Sequence, residues 1–391
     1  MSAASLLDAA RRRLPSSLEL LQALVETNSH ASNDAGLQAC QRQLRPRLAD
    51  LGFRLTPRTA EIADPRDASR TLRRTHLWAE RPSPRPGAPI VLLLGHLDTV
   101  FSPEHPFRVL QRGAERWNGS GVADMKGGVV TALLTLELLA ERDRLDDATW
   151  RVLFVSDEEE GSPTGSEVLR AAGEGIALAI CFEAARDQGE LVIGRKGLGV
   201  AEVRALGRTG HAGIAHDRNP NALTALARFV VGAEALEQRY EGLSVSPGGP
   251  VRVSPEAVNL IPSEARCELE WRFPNRTVGD AILPELLALA GSLLPASVEV
   301  RLLESTPPMA AADPTLVALY LEAAKQLGLR SGAVHTSGVG DINLVAGGGA
   351  ACIDGAGPEG GGFHTDAEFV RVDSIAERAA MNALALMRRL G

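Results

Sequence analysis

The chain has 391 residues, past the length at which a single core stops growing, so two domains are expected. Its hydrophobic share of 45% and formal charge of -8 describe ordinary buried cores with an acidic balance, which argues against nonspecific nucleic-acid binding. No apolar run is long enough to span a membrane, and Cys40, Cys181, Cys267 and Cys352 lack metal-binding spacing, so they read as buried free thiols of a cytoplasmic protein.

The N-terminal segment MSAASLLDAARRRLPSSLELLQALV looks like the start of a helix, not a secretory leader. Residues 17–28 and 33–51 carry helical periodicity, with Gly52 as a stop. The basic stretch 66–87 reads as a solvated connection, with THLWAE inside it as strand. PIVLLLGHLD is almost wholly apolar, as in a strand buried on both faces. Residues 126–145 form a long helix, TWRVLFVSDEE a buried strand, GSEVLRAAG a helix and IALAICFEAA a strand. That alternation predicts an α/β sheet with crossovers.

The pattern changes near residue 192. LVIGRKGLGVAEVRALG alternates like a half-buried strand, and 216–236 reads as a helix. Residues 251–274 form two strands about a proline-containing turn, DAILPELLALAGSL a second helix and ASVEVRLLE a last strand. The α/β style returns with a helix at 317–329, the segment 333–353 and a helix at 373–390. We therefore expect a catalytic domain built from 1–192 and 308–391, interrupted by a smaller α+β domain at 193–307.

Four patches at the ends of apolar runs carry the chemistry: VLLLGHLDTV, GSGVADMKGG, VLFVSDEEEG and GGGFHTDAEF. His96 and Asp98 lie at a strand end, where open α/β sheets place ligands. One can ligate a metal while the other holds the imidazole's second nitrogen. Asp124 sits in a glycine-rich turn before a helix, where a carboxylate can bridge two cations or cap the helix. Glu158 and Glu159 end another strand. A turning strand end can aim both into a cleft, one as ligand and one as the base for metal-activated water. Asp157 and Glu160 beside them leave open a solvated charge run. Glu183 ends a third strand, and His364 follows a glycine run. Two histidines with several carboxylates suit zinc, with cobalt or manganese as alternatives. The chain thus reads as a hydrolase with two divalent metal ions. In the insert, His211 can stabilise an oxyanion and Arg272 can clamp a carboxylate, with Asn259 nearby in VNLIP. Met125 and Trp271 read as packing residues.

Together GHLDTV, NGSGVADMKGG, SDEEEGS, GRKG, GHAG, NLIP, the arginine strand and GGGFHTDAE resemble the M20 metallopeptidases, and the likeness covers nearly the whole chain. The resemblance implies a mixed-sheet dinuclear zinc exopeptidase domain with an inserted α+β lid and dimerisation domain. It implies His96, Asp124 and Glu183 as ligands of one metal and Asp124, Glu159 and His364 as ligands of the other. Glu158 would be the general base and Asp98 the partner of His96. The Asp124–Met125 peptide would be cis. His211, supplied to the opposite subunit, would steady the tetrahedral intermediate, and Asn259 and Arg272 would contact substrate when the inserted domain closes. Glu183, in place of an aspartate, and Arg272 point to a glutamate carboxypeptidase-like enzyme acting on a small peptide, and the resemblance of the inserted domain implies a homodimer. N-acyl-amino-acid deacylation (aminoacylase, deacetylase or desuccinylase) is the alternative, and a non-enzymatic metal- or peptide-binding protein a remoter one.

Overall fold

The structure, a computed structural model, describes every residue except Met1, Pro65, Arg66, Ala68, Arg108, Val109, Asp217 and Ala311. Arg66 and Ala68 of the basic stretch and Asp217 of the 216–236 segment thus lie outside the described residues. The chain divides into two compact units, one of residues 1–194, 309–336 and 340–391, the other of 195–308 and 337–339.

The first unit is built on a seven-stranded mixed sheet. Strand Ile90–His96 lies at its centre, parallel to Thr149–Val155 on one side and to Leu178–Cys181 on the other. Ala351–Ile353 continues the parallel half, while Thr71–Arg81 runs antiparallel to Thr149–Val155 and also pairs with Arg58–Ala63. The near-continuous apolarity of IVLLLGH has a direct cause in this packing. Val91 and Leu93 enter a core with helices Ala3–Glu26, Lys126–Ala140, Pro314–Gln326 and Val372–Arg389. Leu92 and Leu94 enter a second core with helices Gly165–Ala172 and Asp341–Ala346. Each fully buried leucine contributes roughly 1.5–3 kcal/mol. Helix Lys126–Ala140 is apolar around its circumference because nearly all of it is buried.

Close packing at the start of that helix needs glycine. A methyl group added at Gly128 would fall 1.9 Å from the Phe182 carbonyl oxygen. Gly128→Ala is therefore expected to destabilise the unit by about 1–3 kcal/mol through overpacking, read as a lowered denaturation midpoint. An unchanged midpoint would show that the helix can shift freely.

The second unit is an antiparallel four-stranded sheet in the order Ser244–Ser254, Glu264–Phe273, Gly197–Leu206, Ser297–Thr306. Helices Ala222–Glu234 and Arg276–Gly291 cover one face. Strict alternation along Glu264–Phe273 puts Ala265, Cys267, Leu269, Trp271 and Phe273 in the core, and Arg272 on the opposite face with Glu270.

Several elements differ from the sequence reading. The basic stretch is not a connection throughout, because Thr71–Arg81 is one long strand whose arginines occupy its less buried positions. The first helix starts at Ala3 and passes through Pro15, capped by the Ser2 side chain. LVIGRKGLGVAEVRALG is two strands, Leu191–Arg195 pairing with Ala333–Thr336, and Gly197–Leu206 in the second unit's sheet. A small sheet of Gln111–Arg112, Arg116–Asn118, Gly360–Gly361 and Phe369–Arg371 joins segments far apart in sequence. All four cysteines are buried and free, and no helix among the described residues is long and apolar enough to cross a membrane.

Candidate metal centre

The parallel register explains why distant patches meet. His96 pairs with Val155, and Leu94 with Cys181, so three neighbouring strands end at one edge of the sheet. His96 is the last residue of its strand; Glu158 and Glu159 follow the second strand, and Glu183 the third. After Val155 the chain turns into a short 3-10 helix, Glu158–Glu160. That turn resolves the run of four acids into separate roles. Glu158 and Glu159 face inward, Glu160 is exposed and stands 3.6 Å from Arg74, and Asp157 is buried. Asp157 accepts hydrogen bonds from the Thr164 amide at 2.7 Å and its hydroxyl at 2.6 Å, so it ties down the following turn.

Asp124 stands between two histidines. Its Oδ1 lies 3.2 Å from His96 Nε2, and its Oδ2 lies 3.3 Å from His364 Nε2. His96 Nε2 is also 3.6 Å from Glu183, and His364 Nε2 is 3.2 Å from Glu159. Ligand atoms of His96, Asp124 and Glu159 all lie within 4.8 Å of one another, close enough to hold a metal ion. His96 Nδ1 donates to the Asp98 carbonyl at 3.1 Å. A carbonyl can only accept, so Nδ1 carries hydrogen, which leaves Nε2 as the nitrogen able to take a cation. The Asp98 carboxylate is farther, 3.5 Å from Nδ1, and takes its hydrogen bond from the Glu159 amide at 2.8 Å. Asp98 therefore holds both the imidazole and the Glu159 turn.

The electrostatics fit cations. Burial pushes the Glu158, Glu183 and Glu159 carboxyls upward, Glu158 and Glu183 strongly. Burial also opposes a charged His96, yet hydrogen bonds to Asp124 and Asp98 hold its pKa well above the usual imidazole value. Hydrogen bonds to Asp124 and then Glu159 raise His364 to about 10. Burial raises Asp124 too, but His364 and His96 outweigh it and the net shift is downward. So many carboxylates crowded at one strand edge are costly without positive charge among them. Their oxygen and imidazole donors are those that zinc-like divalent ions take. The residues present fit such ions.

The loop before helix Lys126–Ala140 presents Asp124 through a cis Asp124–Met125 peptide. Met125 is fully buried, and its sulfur accepts from the His96 amide at 3.2 Å. Gly95 makes room for it, since a Cβ there would meet the Met125 methyl at 2.4 Å. On the other loop, His364 has a φ of 61°, in the left-handed region that non-glycine residues seldom occupy.

Residues that the sequence reading passed over surround this centre. Glu368 is buried and accepts from three backbone amides of the Asp124 loop; burial raises its carboxyl to about 7. Asp341 is buried and bonded to the Ser162 hydroxyl. Lys126 is buried with its ammonium on the Thr27 carbonyl at 3.0 Å. Only the position of Glu368, four residues after His364 at a strand entry, offered a sequence signal.

His211, Asn259 and Arg272 lie in the second unit. His211 caps a short helical turn, its Nδ1 accepting from Gly213, and the Asn259 carbonyl accepts from the neighbouring Ala212 amide at 2.9 Å. The loops bearing His211 and Asn259 are thus paired. Arg272 donates from Nε to Glu270 at 2.7 Å and from Nη1 to the Ser337 carbonyl at 2.7 Å.

The sequence profile of peptidase family M20/M25/M40 matches residues 92–388. The chain belongs to this family. Carboxypeptidase G2 of Pseudomonas sp. (strain RS-16) is 28% identical over 401 residues, spanning 98% of this chain and 91% of that protein. The succinyl-diaminopimelate desuccinylase of Xanthomonas oryzae pv. oryzae (strain PXO99A) is 28% identical over 403 residues, spanning 95% and 98%. Among solved structures, the aminopeptidase PepT of Bacillus cereus ATCC 10987 superposes with a TM-score of 0.76 at 19% identity, covering 95% of this chain and 98% of that one; it shows the shared fold. As a member of the M20 family, the protein is a metal-dependent hydrolase of amide bonds.

Proposed function

We propose that the protein is a two-metal, glutamate carboxypeptidase-like exopeptidase that cleaves the amide bond preceding a C-terminal amino acid with a free carboxylate. The observation that carries this reading is the split of Asp124, one oxygen toward His96 and the other toward His364. A carboxylate so placed could serve two cations, of which His96 and Glu183 would help hold one and Glu159 and His364 the other. We assign zinc first, with cobalt or manganese as alternatives. When bound, such ions polarise the scissile carbonyl and acidify a water molecule.

Glu158 is then the proton carrier. Its burial raises its pKa, which suits a group that must accept a proton from water and return it to the departing nitrogen. His211 donates to the oxyanion, Asn259 contacts the substrate, and Arg272 binds the free carboxylate. In this structure Arg272 is engaged by Glu270 and Ser337, so binding a substrate carboxylate would exchange one acceptor for another. Arg272→Ala is expected to raise KM about tenfold or more for substrates with a free carboxylate, as loss of a charge-assisted pair implies. Equal behaviour toward carboxylate and amide-capped substrates would remove the clamp.

The similarity to a desuccinylase over nearly the whole chain favours a second reading, hydrolysis of an N-acyl amino acid on the same centre. A matched panel of N-acetyl-, N-succinyl- and N-aminoacyl-glutamate, beside neutral and basic counterparts, separates the two. Fastest release of glutamate from the peptide supports the carboxypeptidase; fastest turnover of an N-acyl compound moves the reaction to deacylation. Free buried thiols support a cytoplasmic protein. Exposed Leu223 and Val231 on helix Ala222–Glu234 support a homodimer through the inserted unit, testable by sedimentation.

A further inference from the structure

The loop carrying Asp124 and the loop carrying His364 are far apart in the chain, yet they are bound to each other by paired strands and by the Glu368 side chain. Strand Arg116–Asn118 leads into the first loop and strand Phe369–Arg371 leads out of the second. The two strands pair antiparallel, with Phe369 opposite Asn118. This register sets Glu368 beside the loop that begins at Gly119, whose amide donates to the Glu368 carbonyl. The Asn118 side-chain amide donates to the same carbonyl at 3.2 Å.

The Glu368 carboxylate then fills the inside of the Asp124 loop. Oε2 accepts from the Gly121 amide at 2.9 Å, and Oε1 accepts from the Ala123 amide at 2.9 Å and the Asp124 amide at 3.0 Å. Three backbone donors at one turn would otherwise lie buried without partners, which is costly. The last of them belongs to Asp124 itself. The carboxylate is almost fully shielded from solvent, 1% exposed, so water cannot stand in for it. Four residues earlier the same loop presents His364, closed by Thr365, whose amide and hydroxyl both bond the Gly362 carbonyl.

We infer that Glu368 is a positioning residue that sets the separation of Asp124 and His364, and through it the affinity of the centre for its cations. It reaches no substrate and ligates nothing; it acts through the backbone of residues 121–124. The inference rests on the metal-dependent reading above. Outer-shell partners of metal ligands typically change metal affinity by about 10–100-fold when replaced. Glu368→Gln keeps the volume but turns one acceptor oxygen into an amide NH2, a donor facing a backbone N–H, so at least one of the three bonds is lost.

The test compares the full-length protein with Glu368→Gln and Glu368→Asp in three measurements. They are zinc binding by competition with a chromophoric chelator, steady-state kinetics against added zinc, and amide hydrogen exchange over 119–125. The expected result is zinc affinity weakened about tenfold or more in E368Q, with faster exchange over 119–125. KM should stay near the parent value, and kcat should recover as zinc is raised. E368D covers the case in which E368Q does not fold, and should weaken affinity in the same direction. Zinc affinity within about twofold of the parent in a folded variant, or kcat that excess zinc does not restore, would overturn the inference. If the parent itself takes up no divalent ion, the metal-dependent reading fails, and exchange over 119–125 alone decides whether Glu368 holds the loop.

Discussion

Glu158→Ala is expected to lower kcat by about a thousandfold or more while leaving the metal content of the protein unchanged. The reason is positional. Glu158 opens the short 3-10 helix after strand Thr149–Val155, beside Glu159 and close enough to His96 to feel its charge. Glu159 lies against His364, the contact expected of a ligand on the proposed reading, whereas no histidine contact engages Glu158 among the described residues. On the proposed function the pair would divide into one carboxylate that completes a cation site and one left to move protons. Removing the first should cost metal; removing the second should cost only turnover. Metal analysis of the dialysed variant beside kcat on the best substrate of the panel reads both. Near-parental turnover in E158A would remove Glu158 from the chemistry. Loss of bound metal with loss of turnover would instead make it a ligand.

The strand ends that build this site were legible in the sequence because buried parallel strands announce themselves. IVLLLGH, LAIC and the second half of TWRVLFV are apolar on both faces, and each is followed within a few residues by an acid or a histidine. The helical elements were legible for the same reason of periodicity. What stayed hidden depends on pairing between distant segments. The strands Arg116–Asn118 and Phe369–Arg371 are three residues each, too short to show alternation, and their partnership exists only in three dimensions. Glu368 showed no more than its place four residues after His364, since its partners are backbone amides that carry no side-chain signature. The same applies to Asp157, which looked like one acid in a run of four and proves to brace Thr164. The split of one apparent strand at Lys196 was also hidden, because both pieces alternate and only their partners differ.

Asp124→Asn should abolish activity and remove the coupling between the two halves of the centre. Asparagine keeps the size of the side chain, but its amide nitrogen cannot ligate a cation and carries no negative charge. Both aspartate oxygens are in use, at 3.2 Å from His96 and 3.3 Å from His364, so neither orientation of the amide spares both sides. The backbone of residue 124 should remain where it is, because Glu368 holds its amide. That separates this variant from Glu368→Gln, in which the ligand survives and its loop is loosened. Thermal unfolding with added zinc supplies the readout. A ligand present at a hundredfold over its Kd stabilises the native state by about 2.7 kcal/mol, so the parent should melt higher as zinc is added. The D124N midpoint should stay flat, as should its activity at any zinc concentration. Chelation of the parent should reproduce the loss, and zinc should then restore the parent but not the variant. If D124N still bound two equivalents of zinc, Asp124 would not be the bridge, and the two histidines would have to hold their ions independently.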